Sequence, residues 1–331
     1  MTESRPLRFG ILGAAAIAPH ALVAPATGRT DVSVVAIAAR DPERARKFAG
    51  EHGVRYALAS YRAVIEHADV DAVYNPLPIS HHYEWTLAAL AAGKHVLCEK
   101  SLASNATEAE SMARAATSAQ RVLMDAFHYR YHPMFLRALD IVASGAIGTL
   151  VHVEACFQVP VTNPADIRMN YATAGGVTMD IGCYPISWVR HITGEEPEVV
   201  HATAVVGPPD VDVSLTAALR FPSGCTGEIT GSMQPGRIRA ELTVTGTKGK
   251  LKLVNPVAPQ LGHAIELTTD GTTTTETVTR RPTYAYQLDA FVAAVRDGAS
   301  LVTGTDDAIK QMRVIDACYR AAGLRLRGER P

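Results

Sequence analysis

This chain carries little that would mark it for an oxidising compartment, a membrane or a polyanion. Its five cysteines, Cys98, Cys156, Cys183, Cys225 and Cys318, are odd in number and scattered, and no CxxC pair occurs. That usage argues against a disulfide framework or a zinc site and fits reduced thiols in a cytoplasm. The formal net charge is −1, so no nucleic-acid partner is implied. Uninterrupted apolar runs of membrane length are missing. The apolar stretch near the start is broken by Pro19, His20 and Pro25 and has no basic segment leading into it, so it reads as neither a signal peptide nor a membrane span. Internal repeats and long low-complexity tracts are absent as well. What is present is ordinary for a soluble globular protein: 47% hydrophobic and 20% charged residues. With 331 residues the chain is too long for one core, and two domains are expected.

The first third alternates strand and helix. "LRFGILGA", "VSVVAIAA", "VDAVYNPLP", "HVLCEK" and "RVLMDAF" are short, nearly continuous apolar runs; helical stretches separate them. One of these, "DPERARKFAGEHG", has Asp41 to cap it, Pro42 in its first turn and Gly53 at its end. Such βαβ alternation predicts a doubly wound parallel sheet, covered on both faces, with right-handed crossovers. The expected class is α/β, with a Rossmann domain over 1–126.

The glycine fingerprint of such domains is incomplete here. The G-x-G-x-x-G/A pattern reads Gly13-Ala14-Ala15-Ala16-Ile17-Ala18. Gly13 supplies the tight turn, Ala15 replaces the glycine that admits the pyrophosphate, and Ala18 still permits close helix–strand packing. Position supports dinucleotide binding: the motif ends the first strand, opens the first helix and precedes a second strand. That second strand ends in Ala38-Ala39 and then Arg40, with no carboxylate at its last position to hold a ribose 2′-hydroxyl. Arg40 can clamp a 2′-phosphate instead, which predicts NADP(H), with NAD(H) as the alternative.

After "RVLMDAF" the pattern changes. A helix, a strand "GTLVHVEACFQV", a glycine-rich loop and the helix "GGVTMDIGCYPISW" precede a series of strands joined by short turns; "TTDGTTTTETVT" reads as a hairpin turning at Asp270–Gly271. Two helices follow. The second domain, 127–331, is therefore expected to be α+β on a large, mostly antiparallel sheet.

With "GILGAAAIA", "AGKHVLCEKSL", "AFHYRYHP" and "GGVTMDIGCYPI" in view, the chain resembles the glucose–fructose oxidoreductase / inositol dehydrogenase family, Gfo/Idh/MocA, over nearly its whole length. Within it, the look is nearest to the NADP-dependent dihydrodiol dehydrogenases and sugar ketoreductases. The resemblance implies hydride transfer between nicotinamide and a carbonyl or secondary alcohol carbon of a sugar, polyol or dihydrodiol. It assigns Lys100 to the oxygen on the reacting carbon and Tyr184 to proton transfer. A phenol ordinarily titrates near about 10, and a neighbouring ammonium lowers that value. Asp180 would orient Lys100 or a substrate hydroxyl, and it shares a helix face with Tyr184 if the segment is helical. Around the cofactor the implied set is Gly13, Ala14, Ala15, Ala16, Ile17, Ala39, Arg40, Leu77, Pro78, His82, Glu99 and Lys100, with Glu99 toward the nicotinamide. Arg168 and Tyr171 stand before the glycines, either to meet substrate or to anchor the loop.

Taken singly, Lys100 is also a plausible solvated strand end, Asp180 a helix cap and Tyr184 a core aromatic; the shared pattern favours a site. The His128, Arg130 and His132 cluster invites a zinc reading, but packing suits it better and no metal is expected. Serine at 101 departs from the family's proline, so Lys100 is either less preorganised or held by hydrogen bonds. An open apolar face on the large sheet would let the chain form a homodimer or homotetramer. The competing functional class is a catalytically silent dinucleotide sensor of the same fold, which need not retain Lys100, Asp180 and Tyr184.

Overall fold

The computed structural model describes residues 5–208, 210–234 and 236–329. The apolar runs of the first third become β1 (Leu7–Leu12), β2 (Val32–Ala38), β4 (Ala72–Asn75), β5 (His95–Cys98) and β6 (Leu123–Asp125), joined by a two-residue edge strand, β3 (Tyr56–Ala57). Their order is β3-β2-β1-β4-β5-β6, and every pairing is parallel. This is the doubly wound arrangement, which gathers all the strand carboxyl ends on one edge. The intervening helices are α1 (Ala24–Ala26), entered through a wide π turn at Pro19–Val23, then α2 (Pro42–His52), α3 (Tyr61–Glu66), α4 (His82–Ala91) and α5 (Ala106–Ala119). The α2 punctuation acts as its residues suggest. Asp41 accepts from the Glu43 amide at 2.9 Å, Pro42 opens the helix, and Gly53 closes it at φ 66°.

In the rest of the chain, α6 (Pro133–Ala143) and α7 (Cys183–Thr193) accompany an eight-stranded sheet. Its members are β7 (Leu150–Gln158), β8 (Glu198–Gly207), β9 (Val211–Arg220), β10 (Thr226–Ser232), β11 (Arg239–Gly246), β12 (Gly249–Val254), β13 (Ala264–Thr269) and β14 (Thr272–Glu276). The order is β14-β13-β12-β11-β7-β10-β9-β8, antiparallel except for β7 with β10. The β13–β14 hairpin turns at Asp270 and Gly271, both at positive φ, as a type I′ turn requires. Apart from His191 and Thr193, α7 is buried. Its Tyr184 and Trp188 pack on Phe157 of β7, at 5.5 and 6.0 Å between ring centres.

The division of the chain differs from a single cut at 126/127. One compact unit takes in the chain up to Ala103, then Thr107–His128 and Tyr284–Ile309; the other holds Ser104–Ala106, Tyr129–Thr283 and the chain from Lys310. α8 (Thr283–Asp297) thus returns, but for Thr283, to the first unit, while α9 (Thr305–Ala321) belongs mostly to the second. Long-range partners decide this. Phe291 packs on Phe9 of β1 at 5.4 Å, Asp289 pairs with Arg29 at 2.6 Å, and Arg296 donates to the Arg5 and Asp31 carbonyls. An amphipathic sequence tells that a helix has a buried face, and not which sheet it covers.

The outward alternation of the large sheet also departs from expectation. The positions facing away from Phe157 and α7 carry Glu154, Thr216, Glu228, Thr230, Glu241, Thr243 and Lys252, and Glu241 joins Arg239 and Lys252 in ion pairs. This face is polar, not apolar. Among the described residues no helix is long and apolar enough to cross a membrane.

Candidate functional site

The first set of site residues lines the carboxyl edge of the six-stranded sheet. Gly13 leaves β1 at φ +94°, and its amide donates to the Ala38 carbonyl at 2.7 Å. A Cβ there would come within 2.9 Å of a Leu77 methyl and would be strained at that φ, so both the turn and the approach of Leu77 require glycine. Ala14, Ala15, Ala16 and Ile17 form the following turn, open to solvent to varying degrees. Ala39 is buried after β2, and Arg40 is exposed beside it. Arg44, in the first turn of α2, donates to the Ala14 carbonyl at 2.9 Å. Its place here was not legible in the sequence, because Arg40 lies outside the helix and the Ala14 turn is distant in the chain. The Tyr61 phenol lies near both arginines; burial raises its pKa while their charges pull it down. Two guanidinium groups, and no carboxylate at the end of β2, suit an adenosine ribose that bears a phosphate.

At the next strand end Asn75 is fully buried and holds Thr86 of α4, and Leu77 and Pro78 follow. His82 is also fully buried. Its Nε2 faces the Leu77 carbonyl at 2.7 Å and its Nδ1 the Ser101 carbonyl at 3.0 Å. Burial lowers its pKa to about 4, so the ring is neutral near pH 7. Beyond β5, Glu99 is nearly buried and accepts from the Tyr74 phenol at 2.6 Å, while Lys100 is half-exposed. The Lys100–Ser101 peptide bond is cis. Asp125, at the end of β6, is buried too, and burial, with Asp307 and Glu99 nearby, pushes its carboxyl well above the usual range. Tyr74 and Asp125 read in the sequence only as members of apolar strands; their roles depend on neighbours from other strands.

The second set lies in the other unit. Thr178–Gly182 forms a π turn running directly into α7, so Asp180 and Tyr184 are both helical, in a widened register. Such turns recur at functional sites. Tyr184 is 5% exposed. Arg168 donates to Asp180 at 2.5 Å and to Asp166 at 3.2 Å; the Asp180 charge leads in raising its pKa. Arg168 and Asp180 therefore come together as a pair. Tyr171 donates its hydroxyl to the Leu326 carbonyl at 2.6 Å, with Arg325 and Arg327 over its ring, and so ties the loop down. Beneath the loop, Asp212 accepts from the Thr178 amide at 2.8 Å, from its hydroxyl, from Tyr319 and from Arg327. Arg327 also donates to the Gly175 carbonyl at 2.5 Å. A Cβ at Gly176, at φ +122°, would collide with Asp212 at 2.0 Å. None of Asp212, Tyr319 or Arg327 was legible as a site residue, because each comes from a distant part of the chain.

The histidine cluster resolves into separate structural uses. His128 stacks on Tyr284 at 4.1 Å, and His132 caps α6 by accepting from the Met134 amide at 3.1 Å. Among the described residues no three His, Cys, Asp or Glu side chains gather as a metal-binding set.

Comparison with known proteins bears on both sets. D-xylose 1-dehydrogenase (NADP(+)) 2 of Haloferax volcanii is 35% identical over 320 residues, covering 96% of this chain and 97% of its own. Pig trans-1,2-dihydrobenzene-1,2-diol dehydrogenase is 32% identical over 76% of this chain and 75% of its own. In structure, KijD10, a 3-ketoreductase from Actinomadura kijaniata crystallised with NADP and TDP-benzene, superposes with a TM-score of 0.90 at 30% identity, over 96% of this chain and 98% of that one. Residues 7–127 match the oxidoreductase family with an NAD-binding Rossmann fold, and residues 135–252 the GFO/IDH/MocA C-terminal domain. With a Rossmann edge and a glycine-loop helix that both fit these patterns, the chain belongs to the GFO/IDH/MocA family of oxidoreductases.

Proposed function

We propose that this protein is an NADP-dependent dehydrogenase or reductase acting on a secondary alcohol or carbonyl of a sugar, polyol or dihydrodiol. The observation that carries the reading is that Arg40 and Arg44 both lie near Tyr61 at a β2 end that lacks a carboxylate, in a chain that keeps Lys100, Asp180 and Tyr184. Gly13 to Ile17, with Leu77 and Pro78, cradle the dinucleotide, and Arg40 and Arg44 hold its 2′-phosphate. When bound, the nicotinamide accepts or donates the hydride. Lys100 stabilises charge developing on the substrate oxygen, and Tyr184 gives that oxygen a proton or takes one from it. Asp180, held by Arg168, orients a substrate hydroxyl, and Glu99 keeps the nicotinamide end polar. Relatives named for xylose, a dihydrodiol and a 3-ketosugar support this substrate range.

The test is a turnover screen over aldoses, ketosugars, polyols and dihydrodiols, following NADPH absorbance. On the substrate found, Lys100→Ala and Tyr184→Phe each lower kcat by roughly a hundred- to ten-thousandfold, while NADPH affinity changes little. Wild-type kcat in both variants would refute the assignment. Silence on every carbonyl and alcohol, with NADPH bound, would favour the sensor reading. Self-association through the large sheet belongs to the same proposal. Its polar outer face calls for hydrogen bonds and ion pairs around Arg239, Glu241 and Lys252, and multi-angle light scattering in low and high salt reads it out. The compartment we infer is the cytoplasm, from five buried cysteines that form no disulfide.

A further inference from the structure

The segment that follows α9 reaches back to the loop carrying Asp180. Tyr171 of that loop donates its hydroxyl to the Leu326 carbonyl at 2.6 Å, and Arg325 and Arg327 sit over its ring at 4.3 and 4.7 Å. The Arg327 side chain is 3% exposed and uses its fork twice. Nη2 donates to Oδ1 of Asp212 at 2.6 Å, and Nε donates to the Gly175 carbonyl at 2.5 Å. Asp212 completes the connection, because its other oxygen accepts from the Thr178 amide at 2.8 Å and from the Thr178 hydroxyl. The loop backbone in turn closes on Arg168: the Gly176 amide donates to the Arg168 carbonyl at 2.8 Å, and the Arg168 side chain holds Asp180. Asn105 donates to the Arg327 carbonyl at 2.9 Å and so sets the position of the tail. Neutralising a buried acid would need only the first of the two Arg327 bonds. The second, to a loop carbonyl, joins tail to loop.

We propose that the tail segment 325–327 is a strap that holds the Arg168–Asp180 pair in its working position, with Arg327 as the positioning residue. The inference rests on the assignment of Asp180 to a substrate hydroxyl. Between β7 and the π turn, the loop has only two three-residue helical turns, Ile167–Met169 and Tyr171–Thr173, so its place must be set from outside. A planar guanidinium suits this task, because its donors are fixed relative to one another and little freedom is lost per hydrogen bond. A Cβ at Gly176 would come within 2.0 Å of Asp212 and 2.7 Å of Arg327, so that glycine is what lets the ion pair approach the loop. A small displacement of Asp180 matters because catalytic geometry is steep in distance.

Three variants test this, each measured well below its unfolding temperature so that lost stability does not read as lost activity. Arg327→Met removes the fork. Arg327→Lys keeps a cation for Asp212 without the planar fork. Tyr171→Phe removes only the hydroxyl. Arg327→Met is expected to lower kcat/KM on the substrate found in the turnover screen by roughly ten- to a hundredfold, with the Kd for NADPH unchanged within about twofold. Amide hydrogen exchange across 166–182 should rise in the same variant, a readout that needs no substrate. Arg327→Lys should recover part of the loss, and Tyr171→Phe should cost at most about tenfold, the worth of one hydrogen bond. The double variant separates positioning from mere stability: if the strap acts through Asp180, adding Arg327→Met to Asp180→Asn costs little more than Asp180→Asn alone. Losses that multiply overturn the proposal. So does wild-type kcat/KM, or unchanged exchange in 166–182, in folded Arg327→Met. If Arg327→Met does not fold, Arg327→Lys and Tyr171→Phe take its place under the same criteria. Asp180→Asn, measured alone, separates the two levels. Full activity there removes the assignment of Asp180 itself, whereas an impaired Asp180→Asn with a fully active Arg327→Met removes only the strap.

Discussion

At the carboxyl edge of the six-stranded sheet, each functional side chain stands within a few residues of the strand that presents it. Gly13 follows β1, Arg40 follows β2, Leu77 follows β4 and Lys100 follows β5. Around Asp180 and Tyr184 the supports come from far away: Asp212 from β9, Tyr319 from α9 and Arg327 from beyond it. The first arrangement is held by a sheet whose parallel strands put their ends together whatever the loops contain. The second is held by a buried ion pair and its hydrogen bonds, so it stands or falls as one network. Damage to the first should be local and chemical; damage to the second should reach the whole unit.

The sharpest way to break that contrast is to remove one side of the buried pair. Arg327 and Asp212 side chains are 3% and 0% exposed. Arg327→Met leaves a buried carboxylate with its hydroxyl and amide donors only, and should destabilise the second unit by about 3–5 kcal/mol. Urea unfolding followed by Trp188 fluorescence measures it, and NADPH affinity serves as the control for the first unit. A loss under 1 kcal/mol would show that the loop does not depend on the pair.

Acid should load both units next. Burial lowers the pKa of His82 and His95 in the first unit, and of His132 in the second, to about 4. A base whose folded pKa is depressed takes up protons more readily when unfolded. Stability is therefore complete above about pH 6.5 and is lost as pH falls toward 4, by up to about 3 kcal/mol for fully buried His82. Replacing His82 by Phe should flatten the pH dependence of unfolding in this window. An unchanged slope would count against a neutral buried ring.

The cofactor end offers a smaller and more local effect. Arg40→Ala or Arg44→Ala should each weaken NADPH by about 1.5–3 kcal/mol, some tenfold to a hundredfold, and leave NADH nearly untouched. The gap between the cofactors should narrow at high salt. Ala39→Asp should shift the preference toward NADH. Equal affinities for the two cofactors in the wild type would defeat the double-arginine clamp.

The smallest effect isolates Asp41. Its carboxylate caps α2 on the Glu43 amide, so Asp41→Ala should cost about 0.5–2 kcal/mol of stability without altering cofactor choice. A switch in cofactor preference would make it a ribose reader instead.

Much of this protein followed from sequence because its first unit is written locally. Apolar runs of strand length, a cap at Asp41, a stop at Gly53 and a turn at Gly13 each act through neighbours in the chain. So does the hairpin at Asp270–Gly271, where only residues tolerant of positive φ fit. Lys100, Asp180 and Tyr184 stood out in the sequence only through the family resemblance, since each taken singly reads equally well as a strand end, a cap or a core aromatic. What only the tertiary structure decided involves partners that sequence spacing does not bring together. The polar outer face of the large sheet hides in strands whose alternation reads alike from either side until one side is covered. The return of α8 to the first unit depends on Phe291 meeting Phe9, and the commitment of Tyr171 to Leu326 on a tail some 150 residues away. The span of His82 between Leu77 and Ser101 likewise arises only once two strands lie side by side. Periodicity and punctuation are properties of a segment, whereas a hydrogen bond between segments exists only after folding has closed the chain between them.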